Sequence, residues 1–325
     1  MVTLEKICQA RQRLAGIAVR TPILRYPQAV NGRQLHLKPE NLQPIGSFKL
    51  RGAYNKIASL SEDERRRGVI AYSSGNHAQG VAYAARAMGV RATIVMPDNA
   101  PKIKRDATAS YGAEIVTVGP ASSERKAKAE ELARKHGFSI VPPYNDENII
   151  AGAASVGMEI IEDFPDVQVV LVPVGGGGLI SGVSTAIKLS RPDVQVIGVE
   201  PELANDAQQS LRSGCILELS AQEVSRTIAD GLRTQSIGEI NFEHIRRYVD
   251  AIVTVSDAEV LSAMRHLALT AKLTVEPSGA VTTAAFMFHG AELPRVSNTV
   301  AVISGGSVEP ELLAKAITHP DALAK

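Results

Sequence analysis

The residues best suited to chemistry lie at turns between short apolar runs and helical stretches. Val169-Val-Leu-Val-Pro-Val174 reads as a buried strand, Gly175, Gly176, Gly177 and Gly178 follow, and Leu179 opens a helical pattern. Consecutive glycines adopt left-handed conformations that aim several N–H groups at one point, forming an anion nest. The helix behind them adds unpaired donors and its dipole. A phosphate suits this turn, since a plain strand-to-helix turn needs only one glycine. Two common phosphate motifs are excluded, because Ile180 stands at the third glycine of a dinucleotide fingerprint and no Walker lysine follows. Glu200 nevertheless ends the next strand about 20 residues on, where a ribose-binding acid would sit. This loop alone therefore leaves a nucleotide-binding oxidoreductase open.

Gly46-Ser-Phe-Lys-Leu-Arg-Gly52 sets Lys49 between Phe48 and Leu50 at the start of a helix. Partial desolvation and the helix dipole both disfavour an ammonium there and lower its pKa. A lysine so treated becomes a nucleophile able to form a Schiff base. Most lone lysines are solvated surface groups, so this motif needs company. Ser73-Ser-Gly-Asn-His-Ala-Gln79 supplies it, in a turn between a strand and a helix. Such a turn points Ser73, Ser74, Gly75 and Asn76 at a ligand near the carboxyl end of a sheet. Asn76 can donate and accept. His77 has acid–base capacity, but packing and hydrogen bonding are its commoner fate. Glu276, within Thr274-Val-Glu-Pro-Ser-Gly-Ala280, and Ser304, within Ile303-Ser-Gly-Gly-Ser307, complete the set.

These turns must be carried by a sheet framework. Apolar β-rich runs fall at 68–72, 92–96, 114–118, 169–174, 195–199, 251–255 and 299–303, and helical patterns at 78–88, 122–136, 179–190, 257–271 and 279–288. Continuous apolar strands separated by helices indicate an α/β protein with buried, mostly parallel sheets covered on both faces. The expected organisation is a large domain, 1–67 plus 146–325, with a smaller domain, 68–145, inserted in it. An extended segment at 34–38 and a helix at 50–60 place the N-terminal part with the larger sheet.

Composition removes other classes. A net charge of +1 over 325 residues gives no electrostatic reason to expect nucleic acid or a membrane surface. Arg65, Arg66 and Arg67 follow Glu62, Asp63 and Glu64 and read as a solvated helix end. Cys8 and Cys215 are far apart and show no zinc or disulfide pattern. The first 16 residues read as an amphipathic helix, not a signal peptide, and no apolar run approaches the roughly 20 residues of a membrane span. A cytoplasmic protein is expected.

Taken together, in this order, the motifs resemble the threonine/serine dehydratase and serine racemase family of fold-type II pyridoxal-phosphate enzymes. The resemblance runs from about residue 20 to 310 and includes Ala100-Pro-Lys, Tyr111-Gly-Ala and Ile197-Gly-Val-Glu-Pro201. It implies two open, twisted, mostly parallel sheets flanked by helices, the tryptophan synthase β-like fold, with the active site between the domains. It implies pyridoxal 5'-phosphate as cofactor, a small amino-acid substrate and a homo-oligomer, dimer or tetramer. Lys49 would be the Schiff-base lysine and α-proton base, Asn76 the partner of the phenolic oxygen, and Phe48 a neighbour of the ring. Gly175 to Leu179 would hold the phosphate. Ser304 would face the pyridine nitrogen and leave it unprotonated, and Glu276 would line the ring edge. Ser73, Ser74, Gly75, His77 and Arg125 would meet substrate, with Ser74 the acid on the face opposite Lys49.

The same resemblance makes Val199-Glu-Pro-Glu-Leu-Ala-Asn-Asp206 a metal site, with carboxylates from Glu200 and Asp206 and the carbonyl of Ala204. All-oxygen ligation suits Mg²⁺ or Ca²⁺. This displaces the ribose role of Glu200. Two departures stand out: Ile150-Ala-Gly-Ala-Ala-Ser155 where relatives read IAGQGT, and Ser307 where they read asparagine. The implied activity is α,β-elimination from L-threonine or L-serine, giving a 2-oxo acid and ammonia. The alternatives are a serine racemase and a 3-hydroxyaspartate dehydratase. The latter is raised by Arg125, whose guanidinium fork suits a second carboxylate.

Overall fold

The computed structural model describes residues 1–29, 32–100, 102–119 and 122–318; Pro101, within Ala100-Pro-Lys, lies outside the described residues. The strands are β1 (Leu24–Arg25), β2 (Gln34–Pro39), β3 (Val69–Tyr72), β4 (Ala92–Pro97), β5 (Glu114–Val118), β6 (Ser139–Ile140), β7 (Val169–Pro173), β8 (Gln195–Pro201), β9 (Ala251–Val255) and β10 (Asn298–Ile303). They form a six-stranded sheet, β1-β2-β10-β7-β8-β9, and a four-stranded sheet, β5-β4-β3-β6. Among the described residues β1 pairs antiparallel with β2, and the other pairings are parallel. Parallel neighbours need crossover connections. Helix Asn76–Ala87 links β3 to β4 and helix Gly178–Ser190 links β7 to β8.

Residue alternation along the central strands divides the large core in two. Leu171, Ile197, Val199, Ala301 and Ile303 face helices Asp257–Leu269 and Pro277–Phe288, packing with Val260, Met264, Val281 and Phe286. Val170, Val172, Val196, Val300 and Val302 face the opposite way, onto Val156 and Ile160 of helix Glu147–Asp163 and Ile180 and Val183 of helix Gly178–Ser190. Strands buried on both faces read as continuous apolar runs, as these do. Helix Glu147–Asp163 escapes sequence reading because Ala151, Gly152, Ala153 and Ala154 are all buried and leave no polar face to mark a period.

Register brings the functional turns to one edge. Thr299 of β10 pairs with Val169 of β7, and Pro173 of β7 pairs with Val199 of β8. Ser304, Gly175 and Glu200 therefore emerge near neighbouring carboxyl ends, where ligands of open α/β sheets bind. Ser73 leaves the carboxyl end of β3 in the second sheet. The N-terminal segment serves both sheets. Strand β2 pairs in the large one, whereas Ala53 and Ile57 of helix Lys49–Ala58 pack with Val69, Ala71, Ala78 and Val81 in the core of the small one.

Candidate active site

Lys49 is the first residue of its helix, and Phe48 before it makes no side-chain cap. The Lys49 Nζ donates to the carbonyl of Pro143 at 2.8 Å and lies 5.2 Å from the centre of the Phe48 ring. Burial, opposed by the charge of Glu276, lowers the amine's pKa to about 8. The desolvation expected from the sequence is thus present, although a charge partner moderates it.

Asn76, the first residue of the helix after β3, and Glu276, the N-cap of helix Pro277–Phe288, meet here. The Asn76 Nδ2 donates to Glu276 Oε1 at 2.7 Å, and the Ser307 N–H donates to Oε2 at 3.0 Å. Burial and then the negative charge of Asp230 push the Glu276 carboxyl up to about 8. Asp230 itself pairs with Lys104. A side chain at position 305 would put its Cβ 2.4 Å from Glu276 Oε1, so this close approach demands Gly305. Ser304 is 5% exposed, its Oγ donates to the Ser278 carbonyl at 3.3 Å, and its own carbonyl accepts the Phe48 N–H at 3.1 Å. Lys49, Phe48, Asn76, Glu276 and Ser304 are therefore joined through one network of contacts.

His77 is packed away from acid–base work. Its Nε2 lies 2.9 Å from the Val141 carbonyl, and burial with the nearby Lys49 charge lowers its pKa to about 3. Ser73, Ser74 and Gly75 form a half-buried loop in which Ser73 Oγ accepts the Gly75 N–H at 3.4 Å. Arg125 is half-buried on helix Ser122–His136, and burial lowers its pKa. It has a polar or ring partner there.

Gly177 is left-handed, with φ 92°, and caps helix Gly178–Ser190, whose first residues, Gly178 and Leu179, are buried. The turn has a neighbour that the sequence reading missed. Tyr144 lies against it, so that a Cβ at Gly176 would fall 2.2 Å from the tyrosine Cδ1. Pro143, the lysine's partner, directly precedes Tyr144. Two consecutive prolines and a tyrosine after β6, in a chain only 4% aromatic, are the signal that could have found this strap.

Two residues beyond Lys49, Arg51 anchors a buried ionic network. Its Nε and one Nη donate to both oxygens of Glu40 at 2.7 and 2.8 Å, and its two Nη atoms reach both oxygens of Glu159 at 2.7 and 2.8 Å. Ser155 Oγ and the Val19 carbonyl accept at 3.0 and 3.1 Å. Lys38 donates to Glu159 and to the Thr21 carbonyl, both at 2.6 Å. Burial alone would raise the Glu40 pKa, but the Arg51 charge and hydrogen bonds hold it below the usual range.

Glu200 and Asp206 are fully buried, as is Ala204. Both Glu200 oxygens accept N–H groups at the start of helix Asp206–Ser213, Ala207 at 3.0 Å and Gln208 at 2.8 Å. Glu200 is thereby tied to the helix that follows its own strand. Neither Asp206 oxygen has a hydrogen bond of normal geometry among the described residues, although the Asp206 and Ile237 N–H groups exert some pull on its charge. Burial raises Asp206 to about 7, and burial plus Asp206 raises Glu200 well above the carboxylate range. Among the described residues no three His, Cys, Asp or Glu side chains converge on a metal position. The structure thus supplies two carboxylates and not a complete side-chain site.

Residues 15–305 match the family model described as pyridoxal-phosphate dependent enzyme. The chain is 46% identical to the L-threonine ammonia-lyase of Thermotoga maritima over 321 residues, covering 98% of this chain and 78% of that protein. It is 41% identical to the L-threo-3-hydroxyaspartate ammonia-lyase of Saccharomyces cerevisiae over 315 residues, covering 96% and 95%. The structure superposes on that of maize serine racemase with a TM-score of 0.92 at 34% identity, covering 97% of each chain.

Proposed function

The chain belongs to the pyridoxal-phosphate dependent enzymes, and from that premise we propose that it is an ammonia-lyase converting L-threonine or L-serine to a 2-oxo acid and ammonia. The observation that carries this reading is the Lys49 amine, held by the Pro143 carbonyl with a pKa lowered to about 8 by desolvation against the charge of Glu276, which itself pairs with Asn76. When bound, the cofactor supplies an electron sink for the negative charge that develops at the substrate Cα.

The residues present fit such a group. Lys49 would hold its carbonyl end, Asn76, Phe48, Glu276 and Ser304 would surround its ring, and Gly175 to Leu179 would cradle its phosphate. The Lys49 Nζ, depressed toward neutrality, takes the α-proton. The Ser304 hydroxyl would offer the ring nitrogen a neutral partner. The Ser73-Ser-Gly loop would bind substrate. Neutral His77 contributes packing beside Lys49.

The test is Lys49→Ala. It should abolish both the visible absorption of the cofactor and 2-oxo acid release from threonine and serine, with the circular dichroism unchanged. Retained ammonia release would refute the reading.

A second substrate, 3-hydroxyaspartate, is favoured by the yeast relative and by half-buried Arg125. Racemisation through Ser74 is suggested by the likeness to maize serine racemase; D-serine absent from wild-type reactions would remove it. We further propose that Mg²⁺ or Ca²⁺ sits between Glu200, Asp206 and the Ala204 carbonyl, supported by the buried Asp206 oxygens. We also propose two domains, 1–67 with 146–325 and 68–145, and a homo-oligomer, dimer or tetramer, in the cytoplasm. No described helix is long and apolar enough to cross a membrane. Light scattering of the purified protein tests the assembly, and a monomer would refute it.

A further inference from the structure

We propose that Tyr144 is a cofactor-binding residue whose ring walls the phosphate cradle and sets the requirement for glycine at position 176. The inference rests on the assignment of Gly175 to Leu179 as the phosphate site. A Cβ built on Gly176 would lie 2.2, 2.3 and 2.4 Å from Cδ1, Cε1 and Cγ of Tyr144, well inside contact distance. A Cβ on Gly178 would lie 3.0 Å from the tyrosine Cβ. The ring therefore fills the space that side chains on the cradle would otherwise take.

The backbone around Tyr144 is tied on both sides. The Pro143 carbonyl accepts the Lys49 amine at 2.8 Å, the Tyr144 carbonyl accepts Asn241 Nδ2 at 3.4 Å, and the Gly176 carbonyl accepts the Gly238 N–H at 3.2 Å. Residues 143 and 144 thus touch both ends at which the cofactor is gripped, the amine and the anion nest. An aromatic wall beside an anion excludes water and lowers the local dielectric, which strengthens each N–H donor aimed at it. The Tyr144 hydroxyl is only marginally engaged, 3.5 Å from the Ser236 carbonyl, so the ring matters more than the hydroxyl.

The test uses protein stripped of cofactor and titrated with pyridoxal 5'-phosphate or with pyridoxal, which lacks the phosphate, read by visible absorption. Tyr144→Ala should weaken pyridoxal 5'-phosphate by about tenfold or more, the loss expected when a charge-assisted hydrogen bond is impaired. Pyridoxal binding should change little, and Tyr144→Phe should match wild type. Gly176→Ala should weaken pyridoxal 5'-phosphate because its methyl meets the ring, and adding it to Tyr144→Ala should cause no further loss. Should Tyr144→Ala unfold, as seen by circular dichroism, Tyr144→Leu takes its place. Wild-type affinity in Tyr144→Ala or its leucine substitute, or a Gly176→Ala loss that persists in full in the double variant, overturns the proposal. A wild type that binds pyridoxal as well as pyridoxal 5'-phosphate instead overturns the cradle assignment beneath it.

Discussion

Replacing Arg51 with methionine removes the centre of the buried ionic network while keeping most of the side-chain volume. Glu159 retains Lys38, but Glu40, fully buried, loses its bidentate cation and keeps, among the described residues, the Thr21 hydroxyl, the Gln43 amide and the charge of nearby Lys38. Breaking a buried pair by removing one partner costs about 3–5 kcal/mol, chiefly because a charge is left uncompensated. For a chain of this size that lowers the melting temperature by roughly 5–10 °C. The loss should depend on pH. In wild type the folded pKa of Glu40 lies below its usual 4.5, so its contribution is present above that value and fades as pH falls through the folded pKa. Without Arg51, burial raises the folded pKa, so ionised Glu40 costs stability at neutral pH and protonation relieves it. The gap between wild type and Arg51→Met should therefore narrow on acidification from pH about 8 to about 5. Arg51→Met/Glu40→Gln, which leaves the Lys38–Glu159 pair intact, should recover at least half the loss. Urea unfolding at each pH is the assay. A single variant within about 1 kcal/mol of wild type, or a double variant no better than the single, would show that the network does not hold the lysine helix in the way argued.

In cofactor-free protein, reductive methylation of Lys49 followed by mass spectrometry should gain rate as pH rises through about 8, because the lowered pKa frees the amine above that value; a midpoint near 10.5 would contradict the desolvation argument. A chelator should lower the melting temperature of wild type and leave Asp206→Asn unaffected, whereas unchanged melting and no divalent ion by elemental analysis would remove the metal. Arg125→Ala should cut kcat/KM on 3-hydroxyaspartate about ten- to a hundredfold, the worth of roughly 1.5–3 kcal/mol in a charged contact, and spare serine. Equal losses on both substrates would make Arg125 structural.

The candidate turns, and the elements they sit on, were readable from local sequence. Four glycines after an apolar strand, a lysine in an apolar frame at a helix start, and a Ser-Ser-Gly-Asn turn are local signals, written in neighbouring residues. The central strands were legible for the same reason, since burial on both faces leaves unbroken apolar runs such as 169–174, whereas the two-residue strands β1 and β6 are too short to leave one. Helix Glu147–Asp163 was not, because its small buried residues carry no polar period. What only the tertiary structure decided is which distant residues meet. Asn76 and Glu276 lie 200 positions apart, and their hydrogen bond exists because the helix that follows β3 and the helix that Glu276 caps start at one place. The same holds for Tyr144 against Gly176, for Arg51 between Glu40 and Glu159, and for the unmatched burial of Asp206. A residue's type sets what it can donate, accept or ionise; its pKa and partner depend on desolvation and neighbours that the chain assembles from far away. Lys49 could be nominated from seven residues, but its descent to about 8 depends on the enclosure around it.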